Sequence, residues 1–248
     1  MFMRFTTLAT VATLAMPAMA QESKTDTLFD LLMLPDIIEI MREEGVSYGD
    51  TIGQDLFGRP PTAEWAATVE RIYDYDMMEG MVHTDFMTSL EEADLAPLIG
   101  FFDSEQGQMI VGLEVSARRA LLDDAVEEAA KEAAAIAAAD GDPRIALVGE
   151  FVDINNLIET NVEGALNSNL AFYGGLVDGR AFDGALSEEQ ILSDVWSQEQ
   201  DIRESTTEWI YSFLFMAYQP LADADLQAYI AFSETEAGVK INRAMFES

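Results

Sequence analysis

His83 is the only histidine in a chain of 248 residues that has no cysteine, so nucleophile-and-base catalysis would have to run through one imidazole. Its neighbours Val82, Thr84, Asp85 and Phe86 form no nucleophile elbow or triad signature. There is also no HExxH pair, phosphate loop or dinucleotide fingerprint, and His83 reads as an ordinary core or surface residue. Met77, Met78, Met81, His83 and Met87 cluster in sequence, and soft thioethers select Cu(I). At about 100° per helical residue, however, the first three share one side while His83 and Met87 sit far around it. Methionine as adaptable core filler is the better reading. Asp74-Tyr75-Asp76, Asp140-Gly141-Asp142 and Asp223-Ala224-Asp225 resemble the opening of a calcium loop, but none continues into the full loop with its central Gly and final Glu. They read as helix caps and turns. A pair of carboxylates acting on a glycan needs neither His nor metal, yet 46 acidic residues permit such a pair everywhere and nominate it nowhere. No catalytic, cofactor-binding or metal-binding residue is therefore assigned, and no cofactor is expected.

The elements that would have to position any site are organised around a repeated stretch. Ala93 to Gly107, ADLAPLIGFFDSEQG, aligns without a gap on Ala224 to Gly238, ADLQAYIAFSETEAG. Ala93, Asp94, Leu95, Ile99, Phe101, Glu105 and Gly107 match Ala224, Asp225, Leu226, Ile230, Phe232, Glu236 and Gly238, where composition alone would give about one match. Such self-similarity is the mark of an internal duplication. Leu95, Leu98, Ile99 and Phe102 fall on one helix face, and Leu226, Tyr229 and Ile230 keep that face in the second copy. Asp94 and Asp225 are expected in the first helical turn, near the unpaired backbone N–H groups. Ser104 and Thr235 are placed to cap a following helix, and Gly107 and Gly238 remove a Cβ where another backbone approaches. Each copy reads as helix, tight corner, helix, and its repeated letters read as packing and turn chemistry. Asp94 and Asp225 are not nominated as site residues.

At these residues the chain resembles the bacterial family called domain of unknown function 2059, whose exported members carry a helix of the form E/D-L-x-x-[LI]-I-x-F-[YF]-x-S-x-x-G. Asp94, Leu95, Leu98, Ile99, Phe101, Phe102, Ser104 and Gly107 carry the likeness; Asp225, Leu226, Ile230, Phe232, Thr235 and Gly238 carry it more loosely. The family places Ser or Thr four residues before the Leu, where this chain has Glu91 and Ala222. The resemblance implies an all-helical domain of the bacterial envelope and brings no catalytic residues.

In chain order, residues 1–20 read as a secretory signal, with Arg4 in the n-region, an apolar run from Phe5 to Met16 and a cleavage site at Ala18-Met19-Ala20. No Cys follows to take a lipid anchor. Residues 21–124 form the first helical repeat. Within it, helices are expected at Thr27 to Leu34, Asp36 to about Phe57, from Thr62 through Thr88 with a kink, and, beyond the corner, from Gln108 to Leu122. Residues 125–142 form an Ala- and Glu-rich connector helix with little apolar bulk, and residues 143–248 the second repeat. In that half Leu157-Ile158-Glu159 echoes Ile37-Ile38-Glu39, Ser187 opens a capping box with Gln190, and Asn155 to Leu176 is expected to be irregular. No sustained alternating strand pattern is present. The expected fold is all-α, a helical bundle of roughly ten to twelve helices built from two related helix-corner-helix halves.

With no cysteine, stability must come from burial, and 49% hydrophobic residues in a chain this long supply one large or two small cores. The formal charge of −33 sets up a field that repels nucleic acid and anionic lipid surfaces. After the signal, no stretch of about 18 apolar residues follows that would span a membrane. The combined expectation is a soluble periplasmic protein, non-enzymatic, presenting a groove or apolar surface to a protein, a peptide or a small apolar ligand. The competing expectation is a carboxylate-dependent hydrolase of cell-wall glycan.

Overall fold

The computed structural model describes residues 24–91, 93–181 and 187–248; the export signal expected over residues 1–20 lies outside them. Among the described residues every regular element is a helix: α1 (24–31), α2 (Leu34–Phe57), α3 (Ala63–Ile72), α4 (Tyr75–Ser89), α5 (Ala96–Phe102), α6 (Glu105–Ala120), α7 (Asp124–Asp140), α8 (Pro143–Ile154), α9 (Leu157–Asp178), α10 (Glu188–Ser197), α11 (Glu199–Tyr218), α12 (Asp223–Ser233) and α13 (Glu236–Glu247). The chain is all-α, as its periodicity predicts. Among the described residues no helix is long and apolar enough to cross a membrane.

Local chemistry accounts for most of the boundaries. Thr62 caps α3 by accepting from the Trp65 N–H, Asp74 caps α4 through Met77, and Ser187 and Gln190 make both bonds of a capping box at α10. Gly58 and Gly141 end α2 and α7 in the left-handed conformation. α5 begins later than expected. Pro97 lacks the N–H that would bond back to Ala93, so the helix starts at Ala96, and Asp94 lies outside the first turn and accepts from the Ala96 N–H at 3.1 Å. Asp225, with Ala228 where the first copy has Pro97, does lie in the first turn of α12.

The two corners have the same local geometry. Ser104 Oγ accepts from the Gly107 N–H at 3.0 Å and donates to the Phe101 carbonyl at 2.6 Å; Thr235 Oγ1 accepts from the Gly238 N–H at 3.0 Å and donates to the Phe232 carbonyl at 2.7 Å. The corners also pack on each other, with the Phe101 and Phe232 rings stacked at 3.9 Å and 8°. Earlier in each half a left-handed residue precedes the long helix: Met33 before α2 and Asn156 before α9, with φ 51° and 52°. The backbone thus pairs Leu34 with Leu157, where the letters had paired Ile37 with it.

Two apolar clusters form the core. α1, α2, α4 and α5 bury Leu28, Ile38, Phe86 and Leu98 in one cluster, which is completed by Val111 and Val115 of α6 and by Ile241 and Ala244 of α13. α8, α11 and α12 bury Val148, Leu214, Tyr218 and Leu226 in a second, which takes Ile110 and Ala117 from α6. Ile110 and Ile241 each stand three residues past the corner glycine; Ile110 enters the second cluster and Ile241 the first. α6 packs along α11, and α13 along α4. α7 does more than connect: Ala130, Ala134 and Ala137 are buried on the face it turns to α11, where small side chains allow close approach, and Ala134 and Ala137 enclose Phe215. α9 is a continuous helix despite its Asn and Gly content, with the Asn161 amide donating to the Leu157 carbonyl.

Candidate functional site

Between the two clusters the packing does not close completely. A cavity of about 330 Å³ remains, walled by α2, α5, α6, α8, α9, α11, α12 and α13. Phe102, Phe213, Tyr229 and Phe232 give it aromatic faces; Val111, Val115, Leu214 and Ile241 give it aliphatic ones. The hollow is half open to solvent, and a concave, mostly apolar space with a few polar groups is the usual form of a small-molecule site. Phe102, Phe232 and Gly238 belong to the repeated corners, so residues expected to serve only as packing also form part of this wall.

Polar groups are few and each has a traceable position. Asn155, buried at the end of α8, donates to the Phe151 carbonyl at 2.9 Å, and its own carbonyl accepts from Asn242 of α13 at 2.9 Å. Arg118 of α6 is held by Glu44 at 2.6 Å and lies over the Trp209 ring at 4.6 Å, a cation–π arrangement. One turn back along α6 is Glu114, the single acid among the lining residues. Oε1 accepts from the buried Tyr218 hydroxyl at 2.5 Å. Its other oxygen has no hydrogen-bond partner, and the carboxyl no cation within ion-pairing distance, among the described residues.

Glu114 lines the cavity as a half-buried residue, and its carboxyl is hydrogen-bonded to the wholly buried Tyr218. Desolvation therefore lifts its pKa from 4.5 to about 7, with the Tyr218 hydrogen bond opposing the rise. Burial also raises the Tyr218 and Tyr229 hydroxyls well above the ordinary tyrosine value, and the nearby Glu114 charge adds to this. Between pH 4.5 and about 7 the folded chain holds a proton that the unfolded chain has released. The stability tied to this group is complete below that window, falls as pH rises through it and is flat above it. Glu114→Gln, which keeps the shape and never ionises, is expected to match the parent at pH 5 and to exceed it by about 2–3 kcal/mol at pH 8.5. Urea unfolding of both chains at the two pH values measures the difference; parallel behaviour would mean that the carboxyl is not enclosed.

The residues first considered for chemistry lie elsewhere. His83 is on α4, its Nε2 2.8 Å from Asp26 Oδ1 and its ring edge-on to Phe29 at 5.1 Å. Met77 and Met81 are exposed while Met78 packs against the first core, so the methionines do not converge. Asp74 and Asp142 are N-caps of α4 and α8. Among the described residues no group of three or more His, Cys, Asp or Glu is arranged to hold a metal ion. Glu114 was not singled out from sequence, although it sits at i+4 from Ile110 and i+3 from Val111, inside the apolar stripe of α6. No protein-family model, curated protein or solved structure matches the chain.

Proposed function

We propose that this protein is a non-enzymatic binding protein of the bacterial periplasm whose central cavity holds one small apolar molecule. The observation that carries the reading is the cavity itself: about 330 Å³ lined by aromatic and aliphatic side chains from both halves. Burying a ligand's apolar surface there supplies roughly 25 cal/mol per Å², with no need for a reactive group. The signal-like residues 1–20, the resemblance of the corner residues to an exported family and the absence of catalytic signatures point to the same role. A glycan hydrolase needs two carboxyls flanking the scissile bond, and this cavity offers one, so the competing reading is less well supported. The matching caps, the left-handed residues at Met33 and Asn156 and the reciprocal placing of Ile110 and Ile241 support descent of the two halves from one unit used twice. On that reading, the ligand space lies where the copies cross.

The test uses a neutral hydrocarbon fluorophore, diphenylhexatriene. Met41 and Met245 both line the cavity and are partly exposed at its rim, so a larger side chain there narrows the space without entering the core. The parent should bind the probe saturably at one per chain, and Met41→Trp and Met245→Trp should each weaken binding about tenfold with little change in Tm. Probe binding untouched by both substitutions would refute the assignment.

A further inference from the structure

The cavity's chemistry specifies more than apolar character. We infer that its ligand is a cationic amphiphile, an amine carrying one apolar chain or ring, whose ammonium group docks on Glu114 while its apolar part lies among Phe102, Phe213, Tyr229 and Phe232. The inference rests on the apolar-ligand reading and adds the head group to it. Glu114 lines the cavity with one carboxylate oxygen that has no protein partner among the described residues, while its Oε1 is fixed by the Tyr218 hydroxyl at 2.5 Å. A half-buried acid without a counter-charge is costly to retain, and an incoming ammonium satisfies it directly, through a charge-assisted hydrogen bond. Aromatic faces attract the same group through their quadrupoles.

The opposite choice, a carboxylate ligand, has less to bind. Arg118 is the one cation lining the cavity, and it is already neutralised by Glu44 at 2.6 Å and stacked on Trp209. An anion would also face Glu114 and approach through the field of a chain with formal charge −33, a field that concentrates cations instead. The remaining titratable groups near the site are Tyr218 of α11 and Tyr229 of α12, both held neutral by burial. The lining residues of α2, α5, α8, α9 and α13 are apolar, amide or glycine. Docking an ammonium on a protonated Glu114 transfers that proton to solvent, and the ion pair forms with the liberated carboxylate.

Three probes with the same eight-carbon chain separate the possibilities in isothermal titration at physiological salt, where adsorption to exposed acids is screened: octylamine, octanol and octanoate. At pH 7.5 octylamine should bind roughly tenfold or more tightly than octanol, and octanoate least. Glu114→Gln should abolish the amine's advantage while leaving octanol affinity unchanged. On the unmodified chain, titrations in buffers of different ionisation heat should show close to one proton released per amine at pH 6 and almost none at pH 8.5. Equal binding of amine and alcohol, preference for octanoate, or an amine advantage that survives in Glu114→Gln would each overturn the inference while leaving an apolar site in place. Failure of all three probes to bind would overturn the apolar-site reading with it.

Discussion

Replacing Gly107 or Gly238 by alanine is expected to destabilise the protein by about 3 kcal/mol in each case, the largest loss anticipated from adding one methyl group to any described glycine. A Cβ at Gly107 would lie 2.2 Å from the Phe101 carbonyl oxygen and 2.8 Å from the Phe102 Cα; at Gly238 it would lie 2.2 Å from the Phe232 oxygen and 2.6 Å from the Ser233 Cα. Every one of those atoms is backbone, so no side-chain rotation relieves the contact. The same corner also carries the hydroxyl cap of α6 or α13 and the Phe101–Phe232 stack, and opening it disturbs both cores. Gly112, in the middle of α6 with nothing within 4 Å of its added Cβ, is the control. There alanine is expected to stabilise by about 0.5–1 kcal/mol through the lower entropy of the unfolded chain. Urea unfolding reads both, and a Gly107→Ala chain within about 0.5 kcal/mol of the parent would mean that the corner is looser than described.

Truncating Ile110 or Ile241 to alanine is expected to lower stability by about 2–5 kcal/mol. Ile110 is wholly buried and Ile241 is 5% exposed, and each truncation removes methyl groups from a packed cluster. Because the two side chains belong to different clusters, the milder pair Ile110→Val and Ile241→Val should be additive within about 0.5 kcal/mol. If both isoleucines met in one shared core, the double variant would deviate from additivity.

Much of this fold is legible in the letters because its punctuation is local. Thr62, Ser104, Ser187 and Thr235 cap the helices that their positions predict, since a capping hydroxyl acts within three residues. Where a second local rule intervenes the reading shifts: Pro97 withholds an N–H and moves the start of α5 past Asp94. Tertiary effects were not legible. Ala130, Ala134 and Ala137 read as part of a connector because alanine adds little bulk, yet small side chains are what let α7 approach α11. The abundance of Asn and Gly in α9 predicts irregularity, but Asn161 and Thr160 bond to carbonyls one turn back and the helix continues. The sharing of α6 between both clusters and the place of α13 in the first leave no local mark, since the apolar stripe of a helix does not say which partner it meets.

The same limit governed the candidate site. His83 and the methionines attracted attention through residue type, and the fold scatters them over the face of α4. Glu114 was one acid among 46. Its signal was positional, a carboxylate at the spacing of Ile110, Val111 and Val115 on α6, one turn before Arg118. Such a residue is either a caller for a partner or a cost to stability, and only the packing of the two clusters reveals that it lines a space.

Trp209 lines the cavity, whereas Trp65 packs against α2 at Gly49 and Trp196 is 65% exposed on α10, and this difference provides the most direct test of the central claim. In a chain carrying Trp65→Phe and Trp196→Phe, titration with 8-bromooctanol brings a heavy-atom quencher to whatever site the alkyl chain occupies. The account predicts quenching of Trp209 that saturates at one molecule per chain, and no saturable quenching in the companion chains that keep only Trp65 or only Trp196. Quenching of Trp209 that rises linearly with quencher concentration and never saturates would show that the cavity is not a binding site.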